Sequence, residues 1–178
     1  DLHSILSKVE FETCLDAFGG TGSVSYLMKQ MGKAVTYNDI MPSNVIMAEA
    51  LLSNKTVQMD EVTLNTLFEK QPARSYQNII EENYSGIYFT AEENIQIDTY
   101  CQNVHQLSNK LLKSEAYYLL FQSLLSKRPY NLFHRANLDM RMRNVKRSFG
   151  NKATWDKSIQ DHCRKFLVEL RKCRSHFS

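Results

Sequence analysis

Three of the chain's six glycines fall within residues 19–22, in the stretch "LDAFGGTGSVSYL". An acid, Asp16, and an aromatic, Phe18, stand before them, and a second acid, Asp39, follows 17 residues after Gly22. Glycine lets a chain turn sharply and lets a ligand approach bare backbone. A helix opening after such a turn offers free N–H groups and a partial positive charge, which suit a phosphate or carboxylate. A carboxylate at the end of the following strand can accept both hydroxyls of a ribose. The set reads as a nucleoside-cofactor site; the bland alternative is that the glycines serve only a tight turn.

A dinucleotide fingerprint has the form G-x-G-x-x-G. Here Gly20 and Gly22 are followed by Ser25 at the third position. That departure serves a bulky pyrophosphate less well and disfavours a NAD-dependent dehydrogenase. Asp16, on the strand itself, suits a ligand that carries an amino group. S-adenosylmethionine (SAM) has an ammonium, a carboxylate and a ribose, and it fits these features.

The elements that must position the site follow from periodicity. Residues 13–18, "TCLDAF", form a short apolar run ending at glycines, the pattern of a buried parallel strand. In "GSVSYLMKQMG", Val24, Leu27, Met28 and Met31 recur at helical spacing, and Gly32 sits where a C-terminal cap belongs. "KAVTYNDI" supplies a second strand. Residues 13–40 are thus a strand–helix–strand unit whose right-handed crossover makes the strands parallel neighbours. A helix should open at Pro42 and Ser43, and "EVTLNTLFEK", "AEENIQIDTYCQNVHQL" and "EAYYLLFQSLLSK" read as further helices. "SGIYFT" fits either a short strand or an extended turn. Ile159, Cys163, Phe166, Leu167 and Leu170 form one stripe of a last helix. The start, "DLHSILSKVE", reads as mid-helix, so residues are expected before it, and it lacks the character of a signal peptide.

With 178 residues and 43% hydrophobic content, the chain can bury a core of one domain or one domain plus an appendage. No apolar run is long enough to span a membrane. The four cysteines show no Cys-x-x-Cys pairing, so reduced thiols are expected; Cys163, Cys173 and His176 match no common zinc spacing.

Charge divides the chain. Residues 1–126 carry 8 Lys+Arg against 15 Asp+Glu, and residues 127–178 carry 14 against 4, so a −7 region precedes a +10 region. A block this basic suggests an anionic partner such as nucleic acid, against the alternative of a solvated surface. Within "KRPYNLFHRANLDMRMRNVKRSFGNKATW" the candidates for DNA contact are Arg135, Arg141, Arg143, Lys146, Arg147 and Lys152. Arg141, Arg143 and Arg147 cannot share one helix face, because positions i and i+2 diverge by about 200°. Some of them should be structural or solvated. Gly150-Asn151 is a turn dipeptide, "RSFGNKATW" can form a hairpin, and Trp155 is expected in a core.

"LDAFGGTGSVSYLMKQMGKAVTYNDIMPSN" resembles the first two cofactor motifs of Dam-like adenine-specific DNA methyltransferases, an Asp-x-Phe-x-Gly-x-Gly loop and a strand ending in Asn-Asp-Ile. "YSGIYFTAEENIQID" and the basic stretch above resemble segments of one bacterial branch of that family. The resemblance implies a cytoplasmic bacterial or phage enzyme of restriction–modification type, moving a methyl group from SAM to the exocyclic amine of adenine in DNA. It implies an α/β fold: a partial Rossmann-like SAM-dependent methyltransferase sheet with a mainly helical DNA-recognition region. The implied cofactor contacts are Asp16, Ala17, Phe18, Gly19, Gly20, Thr21, Gly22, Asp39 and Ile40, with the methionine moiety at the loop, ribose at Asp39 and adenine against Ile40. The implied division is a SAM-binding half at 1–75, a connecting helical segment at 76–126 and a basic target-recognition region at 127–178, with double-stranded DNA as partner.

One departure weighs against the match. The family's catalytic motif is Asp-Pro-Pro-Tyr or a close variant, and the three prolines here, at 42, 72 and 129, are never adjacent. In "KRPY" a cation stands where a hydrogen-bond acceptor for the amine is needed. The Gly/Lys motif expected before the first strand is also missing, so the chain reads as a fragment, or as the product of a split or decayed gene. An RNA methyltransferase and a catalytically inactive DNA-binding module remain alternatives. Flipping a base out of a duplex costs a few kcal/mol of unstacking, and the aromatic that would offset it is absent. The chain alone should therefore show no methyl transfer to DNA in a tritium-transfer assay, and turnover above background would refute this.

Overall fold

In the computed structural model, the described residues are 1–53, 56–129, 134–143 and 152–175. Helix α1 (Leu2–Leu6) is capped by Asp1, whose carboxylate accepts the His3 N–H at 3.0 Å. Strand β1 (Thr13–Asp16), helix α2 (Ser23–Gln30) and strand β2 (Ala34–Tyr37) follow. The two strands pair in parallel, with Thr13 opposite Ala34 and Asp16 opposite Tyr37. Gly32 takes φ 77° just past the α2 terminus, a left-handed angle that glycine adopts at little cost. The strand–helix–strand unit expected from the sequence is present.

The expected burial of β1 is not. Along both strands exposed and half-buried residues alternate, and Leu15 is 64% exposed. The physical reason is layering: among the described residues the sheet has two strands, with α2 packed against them. A strand is buried on both faces only when a layer covers each face.

Helix α3 (Pro42–Ala48) places Pro42 in its first turn, where a missing N–H costs nothing. It runs directly into a π-helical turn at Glu49–Ser53. Beyond lie α4 (Glu61–Leu67), α5 (Ile79–Tyr84), α6 (Ala91–His105), α7 (Lys110–Ser126), α8 (Asn137–Met142), α9 (Lys152–Asp156) and α10 (Ile159–Arg174). Side-chain caps from Asp60, Thr90, Asn109 and Ser158 fix the starts of α4, α6, α7 and α10. The segment 85–90 is a turn, with Gly86 at φ 71°. Lys152–Asp156 is helical, so no hairpin runs as far as Trp155; residues 144–151, which include the turn dipeptide Gly150-Asn151, lie outside the described residues. Trp155 itself is buried, as expected of a core residue.

The architecture is a small, mostly helical α/β domain with a two-stranded open sheet. Its core lies away from the sheet, where α4, α6, α7 and α10 converge on Leu64, Leu67, Ile97, Tyr100, Val104, Leu119, Leu120, Ile159, Cys163, Leu167 and Leu170. The apolar stripe read from α10 faces this core. All four cysteines are free. No helix among the described residues is long and apolar enough to cross a membrane.

A buried cation helps to tie the helical body to the π-helical turn beside the sheet. The Arg174 guanidinium donates to Ala50 O at 2.6 and 3.1 Å and to Glu115 Oε2 at 3.0 Å. A π-helical turn leaves backbone carbonyls without their usual α-helical donor, and Arg174 supplies one. Glu115 is 0% exposed and its other oxygen accepts the Met59 N–H at 3.1 Å. Removing one partner of such a pair leaves a charge buried and typically costs about 3–5 kcal/mol. Arg174→Ala is therefore expected to lower unfolding free energy in urea by about that amount, whereas Glu169→Gln, in a half-exposed pair with Lys165, should cost less than about 1 kcal/mol. Equal effects would contradict the assignment.

Candidate cofactor-binding site

The loop from Ala17 to Gly22 leaves the carboxyl end of β1 and enters α2 with Gly22 as its N-cap. In parallel α/β structures this is the end at which ligands are held. Gly20 and Gly22 have φ of 51° and 77°, angles that side chains resist. The Gly22 N–H donates to Gly19 O at 2.8 Å and closes the turn. The N-cap residue of α2 makes no side-chain hydrogen bond to its first turn, which leaves those N–H groups without a capping oxygen from it.

Strand β2 holds this loop in place. Asn38 N–H donates to Asp16 O and Gly19 N–H to Asn38 O, both at 2.9 Å, continuing the parallel pairing past the last strand residue. Asn38 Nδ2 donates to Ala17 O at 2.8 Å, Gly20 N–H to Asp39 Oδ2 at 2.8 Å, and the Tyr37 hydroxyl to Gly20 O at 2.7 Å. Leu52 of the π-helical turn packs behind Gly22.

The structure thus brings Asp16, Ala17, Phe18, Gly19, Gly20, Thr21, Gly22, Asp39 and Ile40 to the ends of two neighbouring strands. Phe18 and Ile40 are 93% and 94% exposed, two apolar side chains in water flanking a polar loop. Thr21 Oγ1 and Ser23 Oγ share a hydrogen bond of 2.9 Å at the start of α2.

The two carboxylates are differently employed. Asp39 Oδ1 accepts the Met41 N–H at 2.8 Å and Asn44 Nδ2 at 3.1 Å, and Oδ2 accepts Gly20. A carboxylate offers about four lone-pair sites, so one on Oδ2 is left for a hydroxyl. Asp39 therefore holds the loop, a role additional to the ribose contact expected of it from the sequence. Asp16 Oδ2 accepts the Ser25 hydroxyl at 2.6 Å, and Ser25 is 0% exposed. The serine at the third fingerprint position thus has a partner that a glycine could not provide.

Tyr37 and Asn44 join the hydrogen bonds of the loop and were not among the residues expected there. Ser25 was read from the sequence as a departure from the dinucleotide fingerprint, and its bond to Asp16 follows from its position one helical turn from Gly22. Tyr37 and Asn44 carry no comparable local signal. Burial, with the nearby Asp39 and Asp16 charges, pushes the Tyr37 phenol up, so its proton stays in place to donate.

The basic candidates separate. Arg135 is exposed; Arg143 and Lys152 are exposed but paired within their own helices, with Asp139 at 2.6 Å and Asp156 at 3.2 Å. Lys146 and Arg147 lie outside the described residues. Arg141 is placed differently from the expectation: it is 7% exposed and donates to both oxygens of Glu93, at 2.9 and 2.6 Å. Its bidentate donors meet an internal carboxylate instead of a phosphate or base edge. Lys127, 2% exposed, reaches the same Glu93 at 3.0 Å and donates to Trp155 O and Lys157 O. Burial alone would push Glu93 up; the hydrogen bonds of Arg141, Thr90 N–H and Lys127 outweigh it, and the net shift is down. This cluster fixes the basic region to the start of α6.

The described residues thus combine a two-stranded parallel unit, a glycine loop with an acid at each strand end, and a helical body that carries the basic region. The family model for D12 class N6 adenine-specific DNA methyltransferases matches residues 1–161, and the chain belongs to that family. It is 29% identical over 125 residues to the Type II methyltransferase M2.HphI of Haemophilus parahaemolyticus, an alignment covering 70% of this chain and 36% of that protein. The chain spans about a third of that relative's length. No solved structure matches.

Three donors hold the Asp39 carboxylate below its usual value of 3.8, the backbone N–H groups of Met41 and Gly20 first. A depressed carboxylate contributes stability that is present above its unfolded value and lost as pH falls through the folded one. The Asp39 carboxyl carbon should therefore titrate below pH 3.8 by NMR, and Asp39→Asn should remove that step from the acid limb of a stability profile. A midpoint at or above 3.8 would contradict the hydrogen bonds described.

Proposed function

We propose that the chain is the SAM-binding and DNA-recognition part of an enzyme that methylates the exocyclic amine of adenine in DNA. The observation that carries this reading is the lacing of Gly19 and Gly20 to Asn38 and Asp39, which sets an open glycine loop, a ribose-competent carboxylate and an uncapped helix terminus side by side. The residues fit SAM. Asp39 can accept a ribose hydroxyl, Ile40 and Phe18 offer apolar faces to an adenine, and the polar methionine end suits the loop and Asp16. When bound, SAM supplies a methyl group activated by the sulfonium. The chain's own residues bind and orient it.

In this reading the two-stranded unit is part of a Rossmann-like methyltransferase sheet, and the chain divides into a cofactor half at 1–75, a connecting helical segment at 76–126 and a basic recognition region at 127–178. In that region Arg135, Arg143 and Lys152 are the described candidates for phosphate or base contact, with Lys146 and Arg147 as further candidates by sequence. Arg141 serves as the internal tie to Glu93.

Photolabelling with tritiated SAM tests the cofactor assignment. Label that S-adenosylhomocysteine displaces and NAD does not is the expected result; displacement by NAD would favour a dinucleotide enzyme. In gel-shift competition, unlabelled duplex DNA should displace a bound duplex better than double-stranded RNA of the same length. The reverse order would favour an RNA methyltransferase.

A further inference from the structure

The three loop glycines are required for different reasons. Gly20 and Gly22 have left-handed φ, whereas Gly19 is not among the positive-φ glycines. An alanine at 19 is therefore admissible to the backbone. Yet a Cβ there would lie 2.1 Å from Cε2, 2.5 Å from Cδ2 and 2.8 Å from Cζ of Tyr37. These distances are well inside van der Waals contact. The ring crosses bare backbone at Gly19, and its hydroxyl reaches one residue on to Gly20 O at 2.7 Å.

We propose that Tyr37 is a positioning residue of the cofactor loop, and that Gly19 is glycine because the Tyr37 ring occupies the space of its side chain. This deepens the cofactor reading and rests on it for the ligand. The ring acts from β2 as a strap across the loop: its carbons stand where a side chain of residue 19 would lie, and its hydroxyl fixes the Gly20 carbonyl. Gly20 is also the residue whose N–H meets Asp39, so Tyr37 and Asp39 hold the two sides of consecutive peptide units at the same glycine. Tyr37 also lines a cavity of about 480 Å³ with Lys29, Val35, Val45, Ala48 and Leu52. That space lets the ring swing away when it is displaced. Gly19→Ala should therefore release the strap rather than unfold the chain.

The test is a double-substitution cycle with two independent readouts, urea unfolding without ligand and equilibrium dialysis with tritiated SAM. Gly19→Ala should lower both the folding constant and the SAM affinity by roughly threefold to tenfold, the scale of one lost hydrogen bond. Tyr37→Ala should do the same. In the Tyr37→Ala background, Gly19→Ala should have no further effect on either readout. Tyr37→Phe keeps the ring, so Gly19→Ala should remain harmful in that background. Additive losses, or a harmless Gly19→Ala in the unsubstituted chain, would overturn the proposal. A coupled change in unfolding with unchanged SAM affinity would also overturn it. Coupling in unfolding with no SAM binding by the unsubstituted chain would support the strap and overturn the cofactor reading instead.

Discussion

The carboxylate of Asp39 receives the N–H of Gly20 on one oxygen and that of Met41 on the other. It thereby joins the glycine loop after β1 to the start of the helix after β2. Neither segment has a regular ladder at that point, and each would otherwise present unpaired donors. The loop geometry, the exposure of Phe18 and Ile40 and the free terminus of α2 all depend on this join. Parallel strands end side by side with their loops pointing the same way, so a single acid of the second strand can serve both.

The rest of the chain keeps that frame in position from two sides. Arg174, at the far end of α10, reaches the π-helical turn through the Ala50 carbonyl, and Leu52 of that turn backs Gly22. Glu93, at the start of α6, gathers Lys127 and Arg141 and so fastens the basic region to the helical core. Both devices are buried ion pairs supplemented by hydrogen bonds, the condition under which such pairs offset their desolvation. Arg135 and Arg143, which flank the tied Arg141 in the chain, remain at the surface.

Much of this was legible in the sequence where the signal is local. The glycine cluster, the helical spacing of Val24 to Met31 and the stripe of α10 each follow from periods of a few residues, and all appear as read. The angular argument that Arg141 and Arg143 must face different ways is also met: one is buried, the other exposed. What stayed hidden is non-local. Leu15 sits in an apolar run that reads as buried, but burial depends on layers that the run does not encode. Arg141 resembles a DNA contact until its partner, 48 positions earlier in the chain, is known. The links of Tyr37 to Gly20 and of Ser25 to Asp16 arise only when β2 and α2 have docked on β1.

Binding of SAM by this loop, held by Asp39, has a direct readout in solution. A calorimetric titration of the chain with SAM, repeated with Asp39→Ala, tests it most directly. Saturable binding of one SAM per chain is expected, lost in the variant while the variant remains folded by circular dichroism. Absence of binding by the unsubstituted chain, or equal affinity in the variant, would contradict it.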